Sequence, residues 1–66
     1  MDKFKMIYNI LTDICKVALK HKDATLNDDT GGKMMEEFKT AFAKYPEQEH
    51  KLAVTIADAV MKYLFD

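Results

Sequence analysis

The chain has 66 residues, of which 48% are hydrophobic and 32% are charged, with two glycines and one proline. This length accommodates one domain at most, and the composition excludes an intrinsically disordered chain because disordered segments are poor in hydrophobic residues. Ten lysines, no arginine and eleven acidic residues give a formal net charge of -1. That balance lacks the basic excess typical of a nucleic-acid-binding domain, so we expect no nucleic-acid partner.

Cys15 is the single cysteine, which excludes an intramolecular disulfide and favours a reducing, cytoplasmic setting. No uninterrupted apolar run is longer than three residues. The sequence therefore predicts neither a signal peptide nor a membrane-spanning helix, and no membrane partner.

Apolar residues recur at three- and four-residue steps in the first third of the chain, and this spacing predicts a helix over residues 2–21. Asp2 is the expected N-cap, and Lys20 and His21 lie where the helix dipole favours cations. The expected core-facing side of this helix consists of Phe4, Ile7, Leu11, Ile14 and Ala18.

Residues 23–32 interrupt the periodic pattern and are predicted to form a loop, because Asn, Asp, Thr and Gly favour turns. Its adjacent glycines, Gly31 and Gly32, predict a hinge. A second helix is predicted over residues 33–44, and a third over residues 46–65 with Pro46 in its first turn. Short connections between three amphipathic helices predict an all-α, up-down-up bundle that forms one domain over residues 1–66.

The first and third helices carry more apolar surface than a small bundle can bury, with arcs of roughly 220° and 240° when residues are placed at about 100° each. Contiguous apolar patches on soluble proteins mark interaction sites. We therefore expect a protein partner or a second copy to bind the surplus strip. The predicted partner-binding residues are Met6, Ile10, Val17, Val54, Ala57, Met61 and Phe65.

The sequence thus favours a small, non-enzymatic interaction module, such as an adaptor, regulator or inhibitor, that acts as a homo-oligomer without a cofactor. An alternative is a dimeric metal-binding protein, because Glu47 and His50 have the Glu-x-x-His spacing of di-iron bundles. A second alternative is a DNA-binding regulator, although Glu47 and Glu49 would then face phosphates. We expect Cys15 to be a buried, inert thiol and His21 to compensate the helix dipole.

Overall fold

The computed structural model describes residues 2–66, and it contains three helices and no strand within that range. Helix α1 spans Lys3–Lys20, α2 spans Asp28–Phe42 and α3 spans Glu47–Phe65. The all-α class predicted from the sequence is confirmed. The molecule measures 37 × 18 × 17 Å.

The ends of α1 follow from its capping residues. The Asp2 carboxylate accepts a hydrogen bond from the backbone N–H of Lys5 at 2.8 Å, which satisfies a donor that the first helical turn leaves free. At the other end the backbone N–H of His21 donates to the carbonyl of Ala18 at 3.2 Å. The helix therefore begins and ends within one residue of the predicted bounds.

The start of α2 differs from the prediction, because the helix begins at Asp28 and not at Lys33. The Asn27 side chain accepts from the backbone N–H of Thr30 at 3.0 Å, and the Asn27 carbonyl accepts from Gly31 N–H at 2.9 Å. Asp28 and Asp29 then lie in the first turn, where the helix dipole favours acids. The loop predicted over residues 23–32 is therefore shorter, and residues 28–32 are helical.

The two glycines do not form a hinge. Gly31 and Gly32 lie inside α2, and neither has a positive φ angle. The prediction was wrong because the residues that favour turns, Asn, Asp and Thr, are also those that begin helices.

Helix α2 packs against both α1 and α3 and provides the centre of the core. Phe38, Ile10 and Met34 are the largest fully buried side chains. The rings of Phe38 and Phe42 stack with their centroids 5.9 Å apart. The ring of Phe42 also packs against that of Tyr45, with a centroid distance of 6.3 Å. The buried residues are Met6, Ile10, Ile14, Val17, Met34, Phe38, Phe42, Tyr45, Ala53 and Ala57.

Replacement of Gly32 by alanine should stabilise the protein. A Cβ at Gly32 meets no atom within 4 Å, and glycine inside a helix is less stable than alanine by about 0.5–1 kcal/mol. Chemical denaturation of Gly32→Ala should therefore show a free energy of unfolding raised by roughly that amount. An unchanged or lower value would contradict a helical Gly32.

The two sides of α1 should respond differently to the loss of one methyl group. Ile10 is fully buried, so Ile10→Val should lower the free energy of unfolding by about 0.5–1.5 kcal/mol. Ile7 is 42% exposed, so in the monomeric chain, at dilution that prevents association, the matched variant Ile7→Val should change it by less than about 0.5 kcal/mol. If urea unfolding showed equal decreases in the free energy of unfolding for Ile10→Val and Ile7→Val, the assignment of the core-facing side of α1 would be contradicted.

Candidate functional site

The side of α1 predicted to bind a partner is the side that faces the core. Met6, Ile10 and Val17 are buried, and together with Ile14 they form the inner stripe of α1. The prediction that Met6, Ile10 and Val17 form an exposed strip is wrong. They contribute to the folded core and are not accessible on the surface.

The side of α1 predicted to face the core instead lies largely in solvent. Phe4 is 86% exposed, Tyr8 67% and Leu19 66%, and Ile7 and Leu11 are each more than two-fifths exposed. Of the five residues predicted to face the core, only Ile14 is fully buried, and Ala18 is half-buried. We call the solvent-facing set the outer stripe of α1, and its members are Phe4, Ile7, Tyr8, Leu11, Cys15, Ala18 and Leu19.

The outer stripe has the spacing of a helix-pairing surface. Phe4, Tyr8, Leu11, Cys15 and Ala18 follow one another at alternating steps of four and three residues, as the contact positions of a coiled coil do. At about 100° per residue, this stripe is centred about 120° around the helix from the inner stripe. Helix α1 thus has an inner and an outer apolar stripe, which adjoin at Ile14 and Ile7.

The residues of α3 that were predicted to bind a partner differ in how far they are buried. Ala57 is buried, so the prediction that it is available to a partner is wrong. Val54 is 45% exposed, and Met61 and Phe65 are partly buried against the core. These residues lie on the side of α3 that faces α2, as the proximity of Met61 and Phe65 to Gly31 indicates.

Helix α3 also has a solvent-facing apolar stripe, which includes two residues, Leu52 and Tyr63, whose spacing predicts a core position. Leu52 is 40% exposed and Tyr63 is 85% exposed, and Ala59 lies between them on the same side. These three residues form the outer stripe of α3. At about 100° per residue, it is centred about 110° from the core-facing positions Ala53, Ala57, Val60 and Leu64.

A groove of about 340 Å³ separates α2 from α3. Its apolar lining comes from Met35, Phe38, Phe42, Ala43, Val54 and Ala57. Lys39 and His50 are its polar lining residues, and no carboxylate lines it. The Nε2 atom of His50 lies 2.9 Å from the carbonyl oxygen of Tyr45, so this nitrogen carries the hydrogen and donates it.

One polar cluster joins the middle of α1 to the segment that follows α2. The Tyr45 hydroxyl donates a hydrogen bond to Asp13, and Lys44 pairs with the same carboxylate at 3.1 Å. Burial alone raises the pKa of Asp13, but the bonds from Tyr45 and Lys44 outweigh it and hold the pKa below its ordinary value of 3.8. Burial and the adjacent carboxylate raise the pKa of Tyr45 to about 12.

A second polar cluster lies at the end of α1. Lys20 and His21 Nε2 both donate hydrogen bonds to the Glu37 carboxylate on α2. These two bonds hold the pKa of Glu37 below its ordinary value of 4.5. His21 thus serves as a link between helices, and its partner is a carboxylate 16 residues away in sequence.

The remaining candidate groups are the single cysteine and the possible metal ligands. Cys15 is exposed, so the expectation of a buried thiol is wrong. Within residues 2–66, no group of three or more His, Cys, Asp or Glu side chains is placed to hold one metal ion. None of the helices in this range has the length and hydrophobicity needed to cross a membrane.

The sequence contained a signal for the outer stripe of α1 that the assignment of its sides overlooked. The strictly alternating steps of four and three residues predict a helix-pairing seam, whereas the inner stripe of Met6, Ile10, Ile14 and Val17 has steps of four, four and three. Asp13 lies at the edge of the inner stripe, and its partners Tyr45 and Lys44 become known only from the structure. For the outer stripe of α3 the signal was weaker, since Leu52 and Tyr63 also fit a core position.

Comparisons with known proteins give no further assignment: no family model, no curated protein and no solved structure matches this chain.

The Asp13 cluster predicts how stability depends on pH. A lowered pKa in the folded chain means that this contribution to stability is fully present above pH 3.8 and is lost as the pH falls below that value. In Asp13→Asn, the free energy of unfolding should therefore decrease less steeply than in the parent chain between about pH 5 and pH 2. Urea unfolding at several pH values provides the measurement.

Asp58→Asn is the matched control, because Asp58 is an exposed carboxylate on α3. The control should retain the pH dependence of the parent chain. Identical slopes for Asp13→Asn and the parent chain would contradict a stabilising role for the cluster.

Proposed function

We propose that this protein is a non-enzymatic interaction module that acts as a homodimer, with the outer stripes of α1 and α3 as the dimer interface. The observation that carries the proposal is the outer stripe of α1, in which Phe4, Tyr8 and Leu19 are each about two-thirds exposed or more. Large apolar side chains are enriched where proteins associate. A role in recognition, as adaptor, regulator or inhibitor, follows from this surface.

An up-down-up arrangement of the helices is part of the proposal. Asp13 in the middle of α1 bonds Tyr45 beyond the end of α2, whereas His21 after α1 bonds Glu37 in the middle of α2. These contacts support antiparallel α1 and α2. Gly31 near the start of α2 lies beside Phe65 at the end of α3, which supports antiparallel α2 and α3.

In such a bundle both outer stripes belong to one side of the molecule. The polar bonds to α2 come from Asp13 and Lys20, which lie on the opposite side of α1 from its outer stripe. The contacts of α3 with α2 involve Met61 and Phe65, which lie on the opposite side of α3 from Tyr63. We therefore propose a continuous apolar face, formed by α1 and α3 and directed away from α2.

The size of this face supports a stable interface. Phe4, Tyr8 and Tyr63 are 86%, 67% and 85% exposed, and at about 200 Å² per aromatic side chain they alone expose roughly 450 Å². Typical monomers have largest apolar patches of about 300–600 Å² in total. Ile7, Leu11, Leu19 and Leu52 add to the aromatic area and bring the face toward the roughly 800 Å² that each partner buries in a standard interface.

The charges of the two helices support a second copy as the partner. Between Lys3 and Lys20, α1 carries four lysines and one aspartate, whereas between Glu47 and Phe65, α3 carries two lysines and three acids. A two-fold axis makes every contact reciprocal, so α1 of each copy can pair with α3 of the other. The basic helix then lies beside the acidic one at both contacts.

The alternatives retain less support. In the metal-binding alternative His50 and Glu47 would share an ion, but within residues 2–66 of one copy no group of three or more His, Cys, Asp or Glu side chains is placed to hold one. The DNA-binding alternative would place Glu47 and Glu49 in the first turn of the recognition helix. We retain a reducing compartment such as the cytoplasm in the proposal, since Cys15 is an exposed free thiol.

Replacement of exposed aromatic residues by lysine should separate the dimer. The parent chain should show twice its monomer mass of 7.6 kDa in light scattering, whereas Tyr8→Lys with Tyr63→Lys should show 7.6 kDa alone. Both side chains are mostly exposed, so helical content should be unchanged in circular dichroism. The loss follows because four buried lysines per dimer would lack partners.

Thr40→Lys is the control, because Thr40 is exposed on α2 and lies outside the proposed face. This variant should remain dimeric. A monomeric parent chain across a concentration series, or a dimer that survives the double substitution, would overturn the proposed interface.

A further inference from the structure

We propose that the groove between α2 and α3 is a binding site for a small carboxylate with an apolar body, such as a medium-chain acid. Nothing in the proposed dimer requires this groove, because it is formed by α2 and α3 on the side away from α1. The proposal rests on the shape of the groove, its lining and its charges.

The groove has the size and lining of a small-ligand site. Its volume of about 340 Å³ falls within the roughly 300–1,000 Å³ of such sites in proteins. Phe38 and Ala57 are buried at its base, while Met35 and Val54 are accessible at its sides. At the packing density of about 0.74 found in protein interiors, it accommodates roughly 250 Å³ of ligand atoms, enough for an acyl chain but not for a protein segment.

The groove is lined by residues from Met35 in α2 to Ala43 just after it, and by α3 residues from His50 to Ala57. At about 1.5 Å per residue, these stretches are each about 10–12 Å long, which corresponds to about two helical turns. An extended acyl chain of medium length spans this distance. The dimensions along the groove therefore agree with its volume.

The charge of the groove selects an anion. Lys39 supplies a positive charge among the lining residues. None of the described residues that line the groove is acidic, so no negative charge there opposes that of Lys39. An amphiphile with a neutral or positive head group would gain no attraction from the positive charge of Lys39. We therefore propose a carboxylate as the head group.

Two probes of equal chain length test the proposal: sodium octanoate and 1-octanol, each kept below the concentration at which it self-associates. Both are titrated into the isotope-labelled full chain, and backbone amide shifts are followed by NMR. We expect saturable shifts confined to residues 35–43 and 50–57. Octanoate should bind about fivefold more tightly than octanol, the upper range for one exposed charge pair.

Lys39→Gln should remove the preference for octanoate over octanol and leave octanol binding unchanged, because only the charge is lost. Lys51→Gln is the matched control, since Lys51 is exposed on α3 and does not line the groove. It should retain the preference. Val54→Phe should abolish binding of both probes by filling the groove, and the partial exposure of Val54 makes this variant compatible with folding.

Three results would overturn the proposal. Equal affinities for octanoate and octanol in the parent chain would show that the groove does not select a carboxylate. Shifts at Phe4, Tyr8 or Leu19 in place of the groove would show that the probes bind the outer stripe of α1. Absence of any saturable shift in the parent chain would show that the groove is not a binding site. None of these results depends on whether the chain is dimeric.

Discussion

The packing of α2 between two other helices is the interaction on which the rest of the structure depends. Met34 and Phe38 on α2 are almost completely buried, and α2 packs against both α1 and α3. Each flanking helix uses one side for that contact. Because α1 and α3 both carry further apolar residues, the same packing leaves outer stripes on both of them, and the proposed interface is a consequence of how α2 is covered.

Polar contacts decide which side of α1 faces α2. The inner and outer stripes are both apolar, so hydrophobic burial alone discriminates weakly between them. Asp13 and His21 favour the inner stripe, because they reach Tyr45 and Glu37 only in this orientation. In it, Met6, Ile10 and Val17 point inward. A rotation of α1 that buried Phe4 and Leu11 would leave Asp13 without Tyr45 and Lys44. That rotation would turn Asp13 and His21 to solvent and lose these bonds, so the two clusters favour the observed orientation of α1.

The sequence predicted the number and approximate positions of the helices because apolar periodicity is a local property. It failed at the start of α2, where Asn27, Asp28 and Thr30 suit a turn and a helix N-terminus equally well. It also failed for the side of α1 that faces the core, since that choice depends on Asp13 meeting a residue 32 positions away. The groove could not be predicted at all, because its volume results from how closely α2 and α3 pack and not from any motif.

The proposed dimer follows from the small size of the core. Among residues 2–66 only ten are buried, and of these Ala53 and Ala57 contribute little apolar area. A chain of this length buries a smaller fraction of its surface than a larger domain, and association commonly supplies the remainder. The inner side of α3 has the small buried residues Ala53 and Ala57, while the larger Leu52 and Tyr63 occupy the outer side. The distribution of large and small residues on α3 therefore favours burial of its outer stripe by a second copy, and it leaves the groove beside Ala57 open on the opposite side.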